Sequence, residues 1–90
     1  MSALDFFLRK QILILRILSE HGELYGLDIV KKSDKKLARG TIYIYLSRMT
    51  YKELVSSRQE ETTAPGCIPR SLYRITEEGK KFLAGSRYWI

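Results

Sequence analysis

The chain has 90 residues and carries 16 Lys and Arg against 10 Asp and Glu, a formal net charge of +6. This length fits one small domain, and the positive excess favours an anionic partner such as DNA, RNA or an anionic membrane surface, although a basic protein without such a partner fits it equally well. One cysteine, Cys67, and one histidine, His21, exclude an internal disulfide and a zinc cluster of thiolates or histidines. No apolar run approaches a membrane span and no cleavable signal is evident, so we expect a cytoplasmic protein that does not enter a membrane.

The first predicted element is a helix over residues 4–21, ending before Gly22. Its core side follows helical spacing and comprises Leu4, Leu8, Ile12, Leu15 and Leu18. A second apolar side carries Phe6, Leu13 and Ile17, and a helix that is apolar on two sides needs two partners. We predict that this second side, together with Tyr88 and Trp89 of the tail, forms a homodimer interface. The alternative is that a C-terminal segment of the same chain covers it.

A short second helix over residues 24–32 is followed by a polar turn and by the segment LARGTIYIYLSRM. The β-branched and aromatic residues of that segment are typical of a strand. A helix over residues 39–53 explains more of the sequence, because one apolar stripe then recurs at helical spacing through Ile42, Tyr45, Leu46 and Met49.

The opposite side of this third helix is polar and suits the major groove of DNA. Arg48 can pair with a guanine edge or hold a phosphate, Ser47 can bond bases or phosphates, and Ile44 can contact a thymine methyl group. Helix-start N–H groups attract phosphate, which Gly40 would allow to approach closely. The predicted DNA contacts in and before this helix are Lys35, Lys36, Arg39, Gly40, Thr41, Tyr43, Ile44, Ser47 and Arg48.

Residues 54–76 show extended character at both ends and a polar Pro- and Gly-containing middle, which predicts a β hairpin. Arg58, Arg70 and Ser71 are its candidate DNA contacts. Thr76 then caps a helix that opens the C-terminal segment 77–90. The order α-α-α-β-β-α predicts a single winged helix-turn-helix domain over residues 1–90, mainly α with a small β hairpin (α+β).

Several short runs, taken in order, resemble the PadR family of bacterial winged-helix transcriptional regulators. They are Tyr25-Gly26-Leu27, Arg39-Gly40-Thr41-Ile42-Tyr43, Leu46, Arg48-Met49, Leu54-Val55, Pro69-Arg70 and Tyr73-Arg74-Ile75-Thr76-Glu77-Glu78-Gly79. The resemblance implies a dimeric DNA-binding protein, usually a repressor at inverted-repeat operators, whose dimer is built by its N- and C-terminal helices. It adds Tyr25 to the candidate DNA contacts. A glycine common in the family before the Leu-Val pair is Glu53 here.

The sequence therefore predicts a sequence-specific regulator of transcription, a homodimer bound to double-stranded DNA. The alternatives are a plasmid or phage partition protein that binds centromere-like repeats, and a winged helix used as a protein-interaction module. Because no catalytic dyad, phosphate loop or metal-ligand pattern is present, we expect no enzymatic activity, no cofactor and no metal. The sequence leaves open whether a small-molecule effector binds.

Overall fold

The computed structural model describes residues 3–60 and 70–85, and residues 3–6 by their backbone alone. The helices are α1 (Ala3–His21), α2 (Gly26–Lys32), α3 (Ile42–Tyr51) and α4 (Glu77–Ala84); the strands are β1 (Leu24–Tyr25), β2 (Val55–Gln59) and β3 (Ser71–Ile75). The mainly helical fold with a small sheet is thus as predicted.

The strands form an antiparallel sheet in the order β1-β3-β2. Val55 pairs with Ile75 and Gln59 with Ser71, which gives the predicted hairpin. The sequence interpretation missed β1. Leu24 and Tyr25, assigned to the start of the second helix, instead pair with Tyr73 and Leu72 of β3, and α2 begins only at Gly26.

Helix α1 is the centre of the core, because it contacts α2, α3, α4 and β3. Ile14, Leu15 and Leu18 are at most 1% exposed. Ile17, assigned to the dimer interface, is 5% exposed and belongs to this same core. That assignment is corrected, because a side chain buried in the core of its own subunit is not available to a second subunit. Leu13 is half-buried and packs against the core edge.

The segment that composition assigned to a strand is a helix, and its predicted core residues are buried. These are Ile42, Tyr45, Leu46 and Met49. Helix α3 begins at Ile42 rather than at residue 39, and in the turn before it the N–H groups of Thr41 and Ile42 both bond to the carbonyl of Ala38. The apolar stripe determines which side of α3 faces away from the protein.

The C-terminus of α3 is a Schellman motif with an unusual residue. The N–H of Leu54 bonds to the carbonyl of Met49 at 2.9 Å, and the N–H of Glu53 bonds to that of Thr50 at 3.0 Å. Glu53 holds the left-handed position, with φ 64°. This backbone region normally takes glycine, because a Cβ there crowds the following carbonyl oxygen.

Glu53→Gly should therefore stabilise the protein, by about 0.5–1 kcal/mol once the greater freedom of glycine in the unfolded chain offsets part of the relieved strain. Thermal unfolding should move up by a few degrees, since about 1 kcal/mol shifts Tm by roughly 4–8 °C in a domain of this size. Glu53→Ala is the matched control: it removes the carboxylate and keeps the strain. If the Ala and Gly variants have the same Tm, the gain in stability comes from removing the carboxylate charge and not from relieving backbone strain.

Helix α4 docks on the connection between α3 and β2 through its first turn. Thr76 accepts a hydrogen bond from the N–H of Gly79 at 3.0 Å, as predicted for an N-cap, and its hydroxyl donates to the carbonyl of Glu53. The backbone N–H of Thr76 bonds to the carbonyl of Leu54 at 3.1 Å. These bonds tie the end of α3 to the start of α4 and fix the angle at which β2 leaves.

Candidate nucleic-acid interface

The turn between α2 and α3 is held by a buried serine. Ser33 is 3% exposed; its hydroxyl donates to the carbonyl of Val30 at 2.6 Å and accepts from the N–H of Leu37 at 3.1 Å. Asp34 and Lys35 then both adopt left-handed backbone, with φ of 54° and 69°. With Leu37 buried as an anchor, the turn fixes the position of α3 relative to α2.

This turn carries a cluster of exposed cations before the start of α3. Lys35, Lys36 and Arg39 are all exposed, as predicted. The ammonium of Lys10, on α1, donates to the backbone carbonyl of Lys36 and so adds a further positive charge here. The sequence interpretation missed Lys10, because a contact between residues 26 positions apart leaves no local signal. The cluster suits a run of phosphates.

The outward side of α3 is exposed and projects away from the core stripe. Ile44 is 52% exposed, Tyr51 is 89% exposed, and Ser47 between them is also exposed. Thr41, before the helix, is exposed, with its hydroxyl 3.4 Å from the carbonyl of Ala38. A Cβ at Gly40 would meet no atom within 4 Å, so packing within the described part of the chain does not require a glycine there.

Two predicted contacts on the flanks of α3 have partners within the protein. The ring of Tyr43 lies so close to Gly26 that a Cβ there would come within 2.8 Å of it, although Tyr43 remains 50% exposed. The guanidinium of Arg48 lies over the ring of Phe7 on α1, 5.0 Å from its centroid. The centre of the outward surface is therefore Ile44 and Ser47, with Arg48 at its edge.

The sheet formed by β1, β3 and β2, here called the wing sheet, has an inner and an outer face, because side chains alternate along each strand. Val55, Tyr73 and Ile75 contact the core, so Arg58, Leu72 and Arg74 lie on the outer face. The guanidinium of Arg70 stacks over the ring of Tyr25 at 5.6 Å, which joins two predicted contacts on this face.

Ser71 lies on the opposite face from Arg70. Its hydroxyl interacts with the phenol of Tyr73, two residues along β3. Burial raises the pKa of Tyr73 above its usual value, and the Ser71 hydroxyl partly opposes that shift. Ser71 and Arg70 are adjacent in the sequence but lie on opposite faces of the strand. This arrangement disfavours contact of both side chains with the same phosphate.

Arg58, a predicted DNA contact, is held by a carboxylate of the same chain. Its Nε donates to Oε2 of Glu23 at 2.8 Å and its Nη2 donates to Oε1 at 2.7 Å. The Arg58 guanidinium lowers the pKa of Glu23 below its usual value, and the Glu23 carboxylate raises that of Arg58. Arg58 stays a predicted DNA contact, and its guanidinium is already paired with a carboxylate within the protein.

Comparison with known families identifies the chain. Residues 14–85 match the transcriptional regulator PadR-like family. The chain belongs to this family. The resemblance seen in the sequence is thereby confirmed, as is the expectation of a protein that is not an enzyme, because the family consists of regulators of transcription.

Solved structures of PadR regulators superpose on this PadR-like chain. A PadR family transcription regulator from hypervirulent Clostridium difficile R20291 is 36% identical, with a TM-score of 0.70 over 82% of this chain and 78% of that one. Bacillus subtilis PadR, solved in complex with operator DNA, is 25% identical, with a TM-score of 0.70 over 82% of this chain but only 44% of its own length. No curated protein matches the chain.

Some predicted site residues of the PadR-like chain lie outside what the structure describes. These are the side chain of Phe6 and the residues Tyr88 and Trp89; the predicted loop of the hairpin at residues 61–69, although not itself a predicted site, also lies outside the described residues. Within residues 3–60 and 70–85, no group of His, Cys, Asp and Glu is arranged to hold a metal ion, and no helix has the length and apolar character to cross a membrane.

Proposed function

We propose that the chain binds double-stranded DNA in a sequence-specific manner and regulates transcription from the bound site. The observation that carries this proposal is the exposed outward side of α3, centred on Ile44 and Ser47, directly after a cluster of cations. Ile44 is half exposed to solvent, one helical turn from the Ser47 hydroxyl. This pair of side chains is better suited to contact the edges of DNA bases than to remain in water. The Bacillus subtilis relative bound to operator DNA supports the same interpretation.

In the proposed complex, the cations of the turn between α2 and α3 position the protein on the DNA backbone, and α3 contacts the base edges. Lys35, Lys36 and Arg39 would contact phosphates. Ser47 would bond a base edge, and Ile44 would contact a thymine methyl group. Arg48 would approach from the side, since its guanidinium is anchored on the ring of Phe7. Thr41 and Tyr43 would reach flanking phosphates.

The phosphate part of this proposal is tested by the salt dependence of binding to a duplex of arbitrary sequence. The logarithm of the binding constant should fall linearly with the logarithm of the salt concentration, by about 0.9 for each phosphate contact. Fluorescence anisotropy of a labelled duplex measures this slope. Affinity that does not change with salt would contradict the proposal and favour a protein-interaction module.

We further propose that the functional unit is a cytoplasmic homodimer that represses transcription at an inverted repeat. The resemblance to PadR regulators implies a dimer built by the first and last helices. In this chain α1 and α4 are in contact, Leu13 on α1 is half-buried, and Phe82 on α4 is 37% exposed. A partly exposed apolar side chain on each of these two packed helices supports self-association. Repression would follow where the operator overlaps a promoter.

Replacing both Leu13 and Phe82 by Glu should convert the dimer to monomers, because two carboxylates would enter an apolar contact in each subunit. Sedimentation or light scattering measures the mass. Leu27→Glu is the matched control: Leu27, on α2, is 39% exposed, so the same change there should leave the mass unaltered. A double variant with the mass of the parent would place the interface elsewhere.

A further inference from the structure

Glu23 lies among the arginines on the outer face of the wing sheet. Leu24 pairs with Tyr73, so Glu23, immediately before β1, comes beside Arg74 of β3. Its carboxylate reaches across β3 to Arg58 on β2. Arg74 contributes to lowering the pKa of Glu23, as a nearby positive charge does. The Glu23 carboxylate thus interacts with both Arg58 and Arg74, two wing arginines that could otherwise contact DNA.

The contact between Glu23 and Arg58 has the geometry of an arginine bound to a phosphate. Both carboxylate oxygens accept from one edge of the guanidinium, at 2.7 and 2.8 Å, which is the side-by-side arrangement that phosphate oxygens also adopt. The Arg58 side chain is 61% exposed and that of Glu23 is 29% exposed. The pair is therefore open to a competing anion from solvent.

We propose that Glu23 takes the place of a DNA phosphate on Arg58 and so limits how strongly the wing binds DNA of arbitrary sequence. This inference rests on the proposed DNA-binding function. A phosphate reaching Arg58 has to displace a carboxylate already bound in the same manner, so the net gain is small. Glu23 is then a specificity-determining residue that acts through Arg58: it suppresses sequence-independent attraction while leaving base contacts by α3 intact.

Limiting the contacts between the wing and DNA phosphates matters because phosphate contacts dominate non-specific affinity. A regulator competes for its operator against a large excess of other sites, and occupancy depends on the ratio of specific to non-specific affinity. An additional arginine–phosphate contact would strengthen binding to DNA of arbitrary sequence, and it would lower that ratio wherever the operator complex does not make the same contact. Pairing Arg58 within the protein avoids this effect and also ties β2 to β1 across the sheet.

The test is Glu23→Gln, measured with a duplex of arbitrary sequence at several salt concentrations. We expect roughly 3–10-fold tighter binding at low salt and a salt slope steeper by about 0.9, as one more phosphate contact predicts. The matched control is Glu20→Gln, which makes the same charge change on α1, where Glu20 pairs with Arg16 at 3.3 Å. Thermal melting establishes that each variant is folded.

The requirement for Arg58 separates the inference from a general effect of charge. In an Arg58→Gln background, Glu23→Gln should change affinity no more than Glu20→Gln does. If the parent binds DNA but Glu23→Gln and Glu20→Gln give the same salt slope, this inference is overturned and the proposed function stands. Weaker DNA binding by Glu23→Gln would also overturn the inference. A parent without salt-dependent binding would contradict the proposed function itself.

Discussion

Gly79→Ala should lower the free energy of unfolding by about 3 kcal/mol, at the upper end of what overpacking in a core costs. A Cβ at Gly79 would lie 2.1 Å from the carbonyl oxygen of Leu54 and 2.7 Å from Cγ1 of Ile75. The nearest of these atoms is backbone, so no side-chain rotation relieves the contact. The carbonyl of Leu54 also accepts the N–H of Thr76, and α4 would have to move off the α3–β2 connection to make room.

Thermal unfolding measures this effect, and Tm should fall by roughly 12–24 °C in a domain of this size. Gly85→Ala is the control at the other end of α4. A Cβ at Gly85 would come no closer than 3.5 Å to another atom, and its backbone is not left-handed, so that variant should melt within a few degrees of the parent. If Gly79→Ala also melts within a few degrees of the parent, the close docking of α4 on Leu54 is wrong.

Ser47→Glu should weaken binding to a specific duplex by about 2–3 kcal/mol, or roughly 30- to 150-fold. Ser47 is exposed near the centre of the outward side of α3. A carboxylate there would face both the phosphates that line the groove and the acceptor atoms on the base edges, and it would remove the serine hydroxyl as a donor. Fluorescence anisotropy or a gel-shift titration measures the loss.

Ser19→Glu is the matched control for this variant. Ser19 is exposed on a different helix, α1, and the substitution changes the net charge by the same amount. It should reduce affinity only slightly, by the general effect of one negative charge. Similar losses for the two variants would show that α3 does not enter the groove. Ser47→Gln, which adds length without charge, separates the lost hydroxyl from the added carboxylate.

The local features of the fold could be predicted from the sequence, and the features that depend on distant pairs could not. The side of α3 that faces the core follows from the spacing of Ile42, Tyr45, Leu46 and Met49 alone. The Thr76 cap and the Gly22 helix end are equally local. Strand β1 has two residues and exists only because β3 pairs with it, so no window of sequence around Leu24 indicates it.

The candidate site divides in the same way. The exposed side of α3 and the cations before it were predicted, because they follow from helical spacing and from charge. The pairing of Arg58 with Glu23, the stacking of Arg48 on Phe7 and the position of Lys10 were not predicted. Each joins residues far apart in the chain. The same holds for Ile17, whose burial depends on how the other elements of the chain pack around α1.

Selection of bound sequences from a pool of random DNA duplexes tests most directly whether α3 reads DNA. We expect the parent protein to enrich a defined sequence, with two half-sites in inverted order if the functional unit is a dimer. We also expect Ser47→Glu to lose that enrichment and Ser19→Glu to retain it. An enriched set with no common sequence, or the same sequence enriched by the Ser47→Glu variant, would contradict DNA reading by α3.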